Sequence, residues 1–145
     1  MLELFFFLLG LVNSIMLIAI FVIRRKRLSF IQRFGWLYLF LAIPAVYGVF
    51  LVIQEHKPVQ YSIFLGIFLL FLVMEWLLDH VFKINFREDW RRNWMWLVLY
   101  LVLYYAINYG FVVMPWKTSL LWGIIMLSLF AVQIVTNLRS HPKLR

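Results

Sequence analysis

The sequence predicts an all-α integral membrane protein: a single-domain bundle of five transmembrane helices, with the N-terminus outside and the C-terminus in the cytoplasm. Three observations carry that expectation. The chain of 145 residues is 66% hydrophobic and 20% aromatic, with only 14% charged, and its mean hydropathy is +0.93. Soluble domains are roughly 45–50% apolar, so an excess of this size cannot be hidden in one small core. The apolar residues fall in long runs with few charges, as in spanning helices. The basic residues gather on alternate connections between those runs.

Five apolar segments, at about residues 2–23, 34–53, 61–82, 93–114 and 119–138, each approach the ~20 residues that cross ~30 Å of hydrocarbon. The chain starts Met1-Leu-Glu-Leu-Phe-Phe-Phe7, with no basic leader and no small-residue cleavage site before the first segment. That segment is therefore expected to be retained as a helix. Asn13 and Ser14 lie near its middle. The second segment carries Pro44 near its centre, where loss of a backbone donor predicts a kink. The third contains the most polar stretch within any segment, Phe71 to Lys83. The fourth has Tyr100, Tyr104, Tyr105, Asn108 and Tyr109 along a polar-capable face. Only Pro115 to Thr118 separates it from the fifth, and one continuous helix would be about twice the length needed to span. A tight hairpin at Pro115 is expected.

Orientation follows from the loops. Of the 14 basic residues, all but Lys57 and Lys117 fall on one side of the predicted bundle. The first loop carries Arg24, Arg25, Lys26, Arg27 and Arg33; the third carries Lys83, Arg87, Arg91 and Arg92; the tail carries Arg139, Lys143 and Arg145. That bias places the basic end in the cytoplasm of a prokaryotic plasma membrane or its equivalent. Trp36, Trp90, Trp94 and Trp96 lie near predicted inner ends, and Tyr61 and Trp116 near outer ends, as an interfacial belt requires.

The formal net charge of +8 would suggest nucleic acid in a soluble protein. At helix ends it is explained by topology, so no nucleic-acid partner is expected. Arg24, Arg25, Lys26 and Arg27, with apolar Leu28, Phe30 and Ile31 beyond them, also suit contact with anionic lipid headgroups. The plain topological signal accounts for the same residues and is the simpler reading. There is no cysteine, which excludes thiolate chemistry and Cys-ligated metals. The three histidines, His56, His80 and His141, make no zinc motif, and no Gly-rich phosphate loop or nucleophile elbow is present. No cofactor or metal is expected.

On an ideal helix Glu75, Asp79 and Lys83 form one stripe, with His80 on another face. Lys83 would sit at the inner surface, Asp79 about 6 Å and Glu75 about 12 Å deeper. Asp79 and His80 can then reach headgroups or water, whereas Glu75 lies in hydrocarbon, where an ionisable group costs a few kcal/mol unless it faces protein or a cavity. Tyr100 and Gln133 fall nearest the depth of Glu75, with Asn108 farther out. One reading makes Glu75, Asp79, His80, Tyr100, Asn108 and Gln133 an ion, proton or substrate site opening to the cytoplasm. The plainer reading makes Glu75 a hydrogen-bonding link between helices.

A repeat is hinted at by Ala42-Ile43…Tyr47-Gly48 and Ala106-Ile107…Tyr109-Gly110, but the spacing differs and apolar composition produces such matches easily. The leading functional expectation is a small transporter or channel with a proton- or cation-responsive carboxylate. The alternative is a non-catalytic membrane subunit or scaffold, as a homo-oligomer or against other membrane proteins. A lipid-modifying enzyme using Asp79 and His80 at headgroup level comes third.

Overall fold

The computed structural model describes residues 1–83 and 89–140. Arg87 and Glu88 of the third connection, and His141, Lys143 and Arg145 of the tail, lie outside the described residues. The described chain is helical nearly throughout. Helix α1 spans Leu2–Lys26 and α2 is a short helix, Leu28–Phe34. A 3-10 helix, Gly35–Leu41, runs into α3, Ala42–Gln54. Helix α4, Val59–Trp76, continues as π-helix over Leu77–Val81. Helices α5, Trp94–Thr118, and α6, Leu120–Ser140, complete the fold.

Five of these units are long and apolar enough to cross a membrane: Leu2–Lys26, Gly35–Gln54, Val59–Val81, Trp94–Thr118 and Leu120–Ser140. The protein is a multi-pass membrane protein. Each span packs against the next in sequence, and α1 closes the ring against α6 while also touching α3 and α5. An odd number of alternating spans makes the first and last run parallel. Phe7 accordingly stacks on Trp122 with ring centroids 4.7 Å apart. One turn on, a Cβ at Gly10 would meet Phe111 Cδ1 at 2.7 Å and Met126 Cε at 3.0 Å. Gly10 thus lets three helices approach closely, the usual service of small residues in membrane bundles.

The ends of the bundle are defined by contacts. Leu2 N–H donates to Glu55 Oε2 at 3.3 Å, and Lys57 Nζ donates to Glu3 Oε1 at 2.6 Å. These tie the start of α1 to the α3–α4 connection. The opposite end, termed the basic end below, gathers Arg24–Arg27, Arg33, Arg91, Arg92 and Arg139.

Three expectations change, and that for Pro44 gains detail. Pro115 does not form the hairpin: α5 runs through it to Thr118, and the chain turns at Ser119, whose backbone is extended (φ −152°, ψ 129°). Close to a helix C-terminus, proline interrupts one hydrogen bond without ending the helix. Pro44, near the middle of the second span, lies in the first turn of α3, where the winding has just changed from 3-10 to α. Tyr61 is buried against Phe6 at 5.1 Å and does not sit in an interfacial belt. Lys83 lies past the π-helix with a positive φ of 50°, so it is off the Glu75–Asp79 stripe.

Candidate functional site

A helix that is apolar all round gives little clue to which face turns inward, so the buried polar side chains mark the interior. Apart from Tyr61, which is buried near the far end of the third span, they come from the other four spans. From α1 come Asn13 and Ser14, from the second span Tyr38, from α5 Tyr100, Tyr104 and Asn108, and from α6 Gln133; all are buried. The third span adds Glu75, half-buried at the same end of the bundle.

The hydroxyl of Tyr38 donates to Asn13 Oδ1 at 2.5 Å, and that of Tyr104 donates to Gln133 Oε1 at 3.0 Å. Each bond joins two spans. Asn108 Nδ2 turns back to the carbonyl of Tyr104, 2.8 Å away, within α5. Asn13 and Gln133 are both 0% exposed, yet Asn13 Nδ2 and Gln133 Nε2 have no protein partner, nor does Ser14 Oγ. Turning either amide over would exchange which end lacks a partner without supplying one. The result is a buried layer with hydrogen-bonding capacity beyond what its own side chains satisfy.

Tyr104 is central to it. Its ring lies 6.4 Å from both Phe21 and Phe71 and stacks at 6.2 Å on Tyr100. Towards the far end the interior is filled by Phe6, Leu65, Phe68 and Phe111, with the Phe68 and Phe111 rings 5.4 Å apart. Towards the basic end, one helical turn beyond Phe21 and Phe71, stand Arg24 and Glu75 on their respective helices. Arg24 is half-buried and carries its guanidinium 5.9 Å over the Phe21 ring, whereas Arg25, Lys26 and Arg27 are exposed. Glu75 lies within electrostatic range of the Tyr38 hydroxyl, as do Tyr100 and Tyr104.

Thus Glu75, Tyr100 and Gln133 belong to one region, and Asn108 lies a turn farther from the basic end. Asp79 is exposed and His80 half-buried, both on the π-helical turn that follows Glu75. They form a rim. Among the Arg24–Arg27 group, Arg24 is distinct in facing the bundle. Tyr38 escaped sequence reasoning because a tyrosine four residues from a predicted helix start suits belt chemistry as well as a core. Its one available signal was its position just inside Trp36, already beyond the headgroup zone.

The chain has no match among curated proteins, and none among solved structures. A family model described as YwiC-like protein matches residues 35–144, from the start of the second span to the tail. Tyr38, Glu75, Tyr104 and Gln133 lie inside the match, while Asn13, Ser14 and Arg24 on α1 lie outside it. With well over half of its length matched, the chain belongs to the YwiC-like family.

Proposed function

We propose that this protein is a small transporter or channel that carries a proton or a cation, with Glu75 as the responsive carboxyl group. One observation carries the reading: the bundle interior holds a polar layer beside a half-buried carboxylate at the basic end, closed towards the far end by packed phenylalanines. An ionisable group held at that depth is costly and is normally kept for a pathway or a binding role. In this scheme Asp79 and His80 line the entrance, Glu75 accepts the proton or cation, and Tyr100, Tyr104, Gln133 and Asn108 lie beyond it. The aromatic plug is the gate that must part for passage. Positive-inside bias supports placing the basic end in the cytoplasm and the protein in the plasma membrane.

The test is flux. Purified protein in liposomes with an internal pH dye should relax an imposed proton or cation gradient faster than empty liposomes. Glu75→Gln, which keeps size and hydrogen bonding, should abolish that relaxation. A flux unchanged by Glu75→Gln overturns the mechanism, and no flux with any alkali cation or proton overturns the function.

A second reading has its own support. The Tyr38–Asn13 and Tyr104–Gln133 bonds link neighbouring spans, as polar residues do in bundles that serve as scaffolds or subunits. That role predicts tolerance of Glu75→Gln, loss of assembly on Glu75→Leu, and a membrane protein that co-purifies.

A further inference from the structure

We propose that α2 and the exposed step Arg25–Arg27 form a binding surface for anionic phospholipid at the headgroup level of the basic end. The inference is independent of any transport role.

The first support is charge. Among the described residues, Glu3 and Glu55 balance Lys57 and Lys117 at the far end, whereas at the other end nine basic residues face only Glu75, Asp79 and Asp89. Within that end the structure divides the basic residues. Arg24 turns over Phe21 into the bundle, and Arg25, Lys26 and Arg27 are left exposed. The chain then breaks at Arg27 (φ −147°, ψ 79°) and forms α2, which runs on at Gly35 into the 3-10 helix of the second span. The short helix is therefore set apart from the first span.

The second support is what α2 displays. Phe30 and Phe34 are 44% and 39% exposed with ring centroids 4.7 Å apart. Arg33 carries its guanidinium 5.5 Å over the Phe34 ring. Exposed aromatic rings paired with cations, next to two membrane spans, suit the boundary where rings enter the acyl region and cations meet phosphate. A soluble acidic partner would account for the cations but leave the rings in water. Zwitterionic lipid would cover the rings but gain little from the cations. Anionic phospholipid satisfies both.

The test uses the full chain in neutral detergent micelles, where sidedness does not matter. Resin-bound protein is equilibrated with equal amounts of phosphatidylglycerol and phosphatidylcholine, washed, and the retained lipid measured by mass spectrometry. Each basic residue at a membrane surface changes relative affinity by about fivefold. Wild type should retain phosphatidylglycerol in at least about tenfold preference, allowing for partial screening. The variant Arg25→Gln/Lys26→Gln/Arg27→Gln/Arg33→Gln should lose the preference while keeping its melting temperature in phosphatidylcholine. Arg91→Gln/Arg92→Gln, at the same end but off α2, should keep the preference. If the fourfold variant proves unstable, the corresponding Arg→Lys variant must keep both fold and preference. No preference in wild type, or equal loss from the Arg91/Arg92 variant, overturns the proposal. Displacement of the lipid by millimolar inorganic phosphate also overturns it, since the site would then be one for phosphate alone.

Discussion

Tyr104→Phe removes one oxygen from the middle of the bundle and nothing else. Its hydroxyl donates to Gln133 Oε1 at 3.0 Å, and Gln133 is 0% exposed with Nε2 already lacking a partner. The substitution leaves the whole Gln133 amide without a side-chain partner. Hydrogen bonds between membrane helices average about 0.6 kcal/mol and reach about 1.7. A buried polar group left unsatisfied costs about 1–3 kcal/mol. The single substitution should therefore destabilise by about 1–2 kcal/mol. Gln133→Leu should cost a similar amount by orphaning the Tyr104 hydroxyl. In the double variant neither orphan remains, and two apolar groups of nearly the same shape meet.

The cycle should show coupling of about 1 kcal/mol, with the double variant more stable than the sum of the singles implies. The assay is reversible unfolding in mixed micelles with increasing dodecyl sulfate, followed by far-UV circular dichroism. Additivity within about 0.3 kcal/mol would refute the reasoning, because sites that share a hydrogen bond are expected to couple. Asn13 with Tyr38 offers the parallel cycle between the first and second spans.

Two further outcomes follow from packing and charge. A Cβ at Gly110 would lie 2.3 Å from Phe64 Cδ1 and 2.5 Å from Cγ, so Gly110→Ala must displace the Phe64 ring or part α4 from α5 and should cost about 1–3 kcal/mol in the same unfolding assay. Gly66→Ala, with nothing within 4 Å of its Cβ, is the control and should be neutral or mildly stabilising. At the far end the hydrogen bond to Glu3 raises the Lys57 ammonium above its ordinary pKa. Its contribution is thus fully present below about pH 10.4 and is lost as pH rises through the higher folded value. Melting temperature should fall more steeply above that pH in wild type than in Lys57→Met, and high salt should shrink the difference.

The five spans were legible because length and continuous apolar composition suffice to identify them, and neither depends on which face turns inward. The inward face was legible only where a polar residue could not sensibly meet lipid. Asn108 and Gln133, named as candidate site residues on that ground, are both buried, and so is Asn13, which the sequence placed only by depth. Tyrosine gave no such guide, since the same side chain suits an interface or a core: Tyr61 was expected at the surface and is buried, and Tyr38 was not singled out at all. The Pro115 hairpin failed for a different reason. Proline near a helix end is compatible with several terminations, and the extended backbone of Ser119 decides among them.

The two departures from α winding in the spans could not be read from composition, and they fall where they matter most. The 3-10 helix Gly35–Leu41 is seven residues long, beyond the 3–4 that such winding usually sustains, and it carries Tyr38 to Asn13. The π-helix Leu77–Val81 follows Glu75 and carries Asp79 and His80. Both lie at the basic end, against the polar layer. A wider π turn rotates Asp79 and His80 relative to Glu75, so the ideal-helix stripe that linked Glu75 to Lys83 does not survive. What remains is a carboxylate on regular α-helix, backed by packed phenylalanine, with irregular winding on the side towards solvent. Stretches of 3-10 winding inside a longer helix often mark a hinge, and π turns are frequent at functional sites.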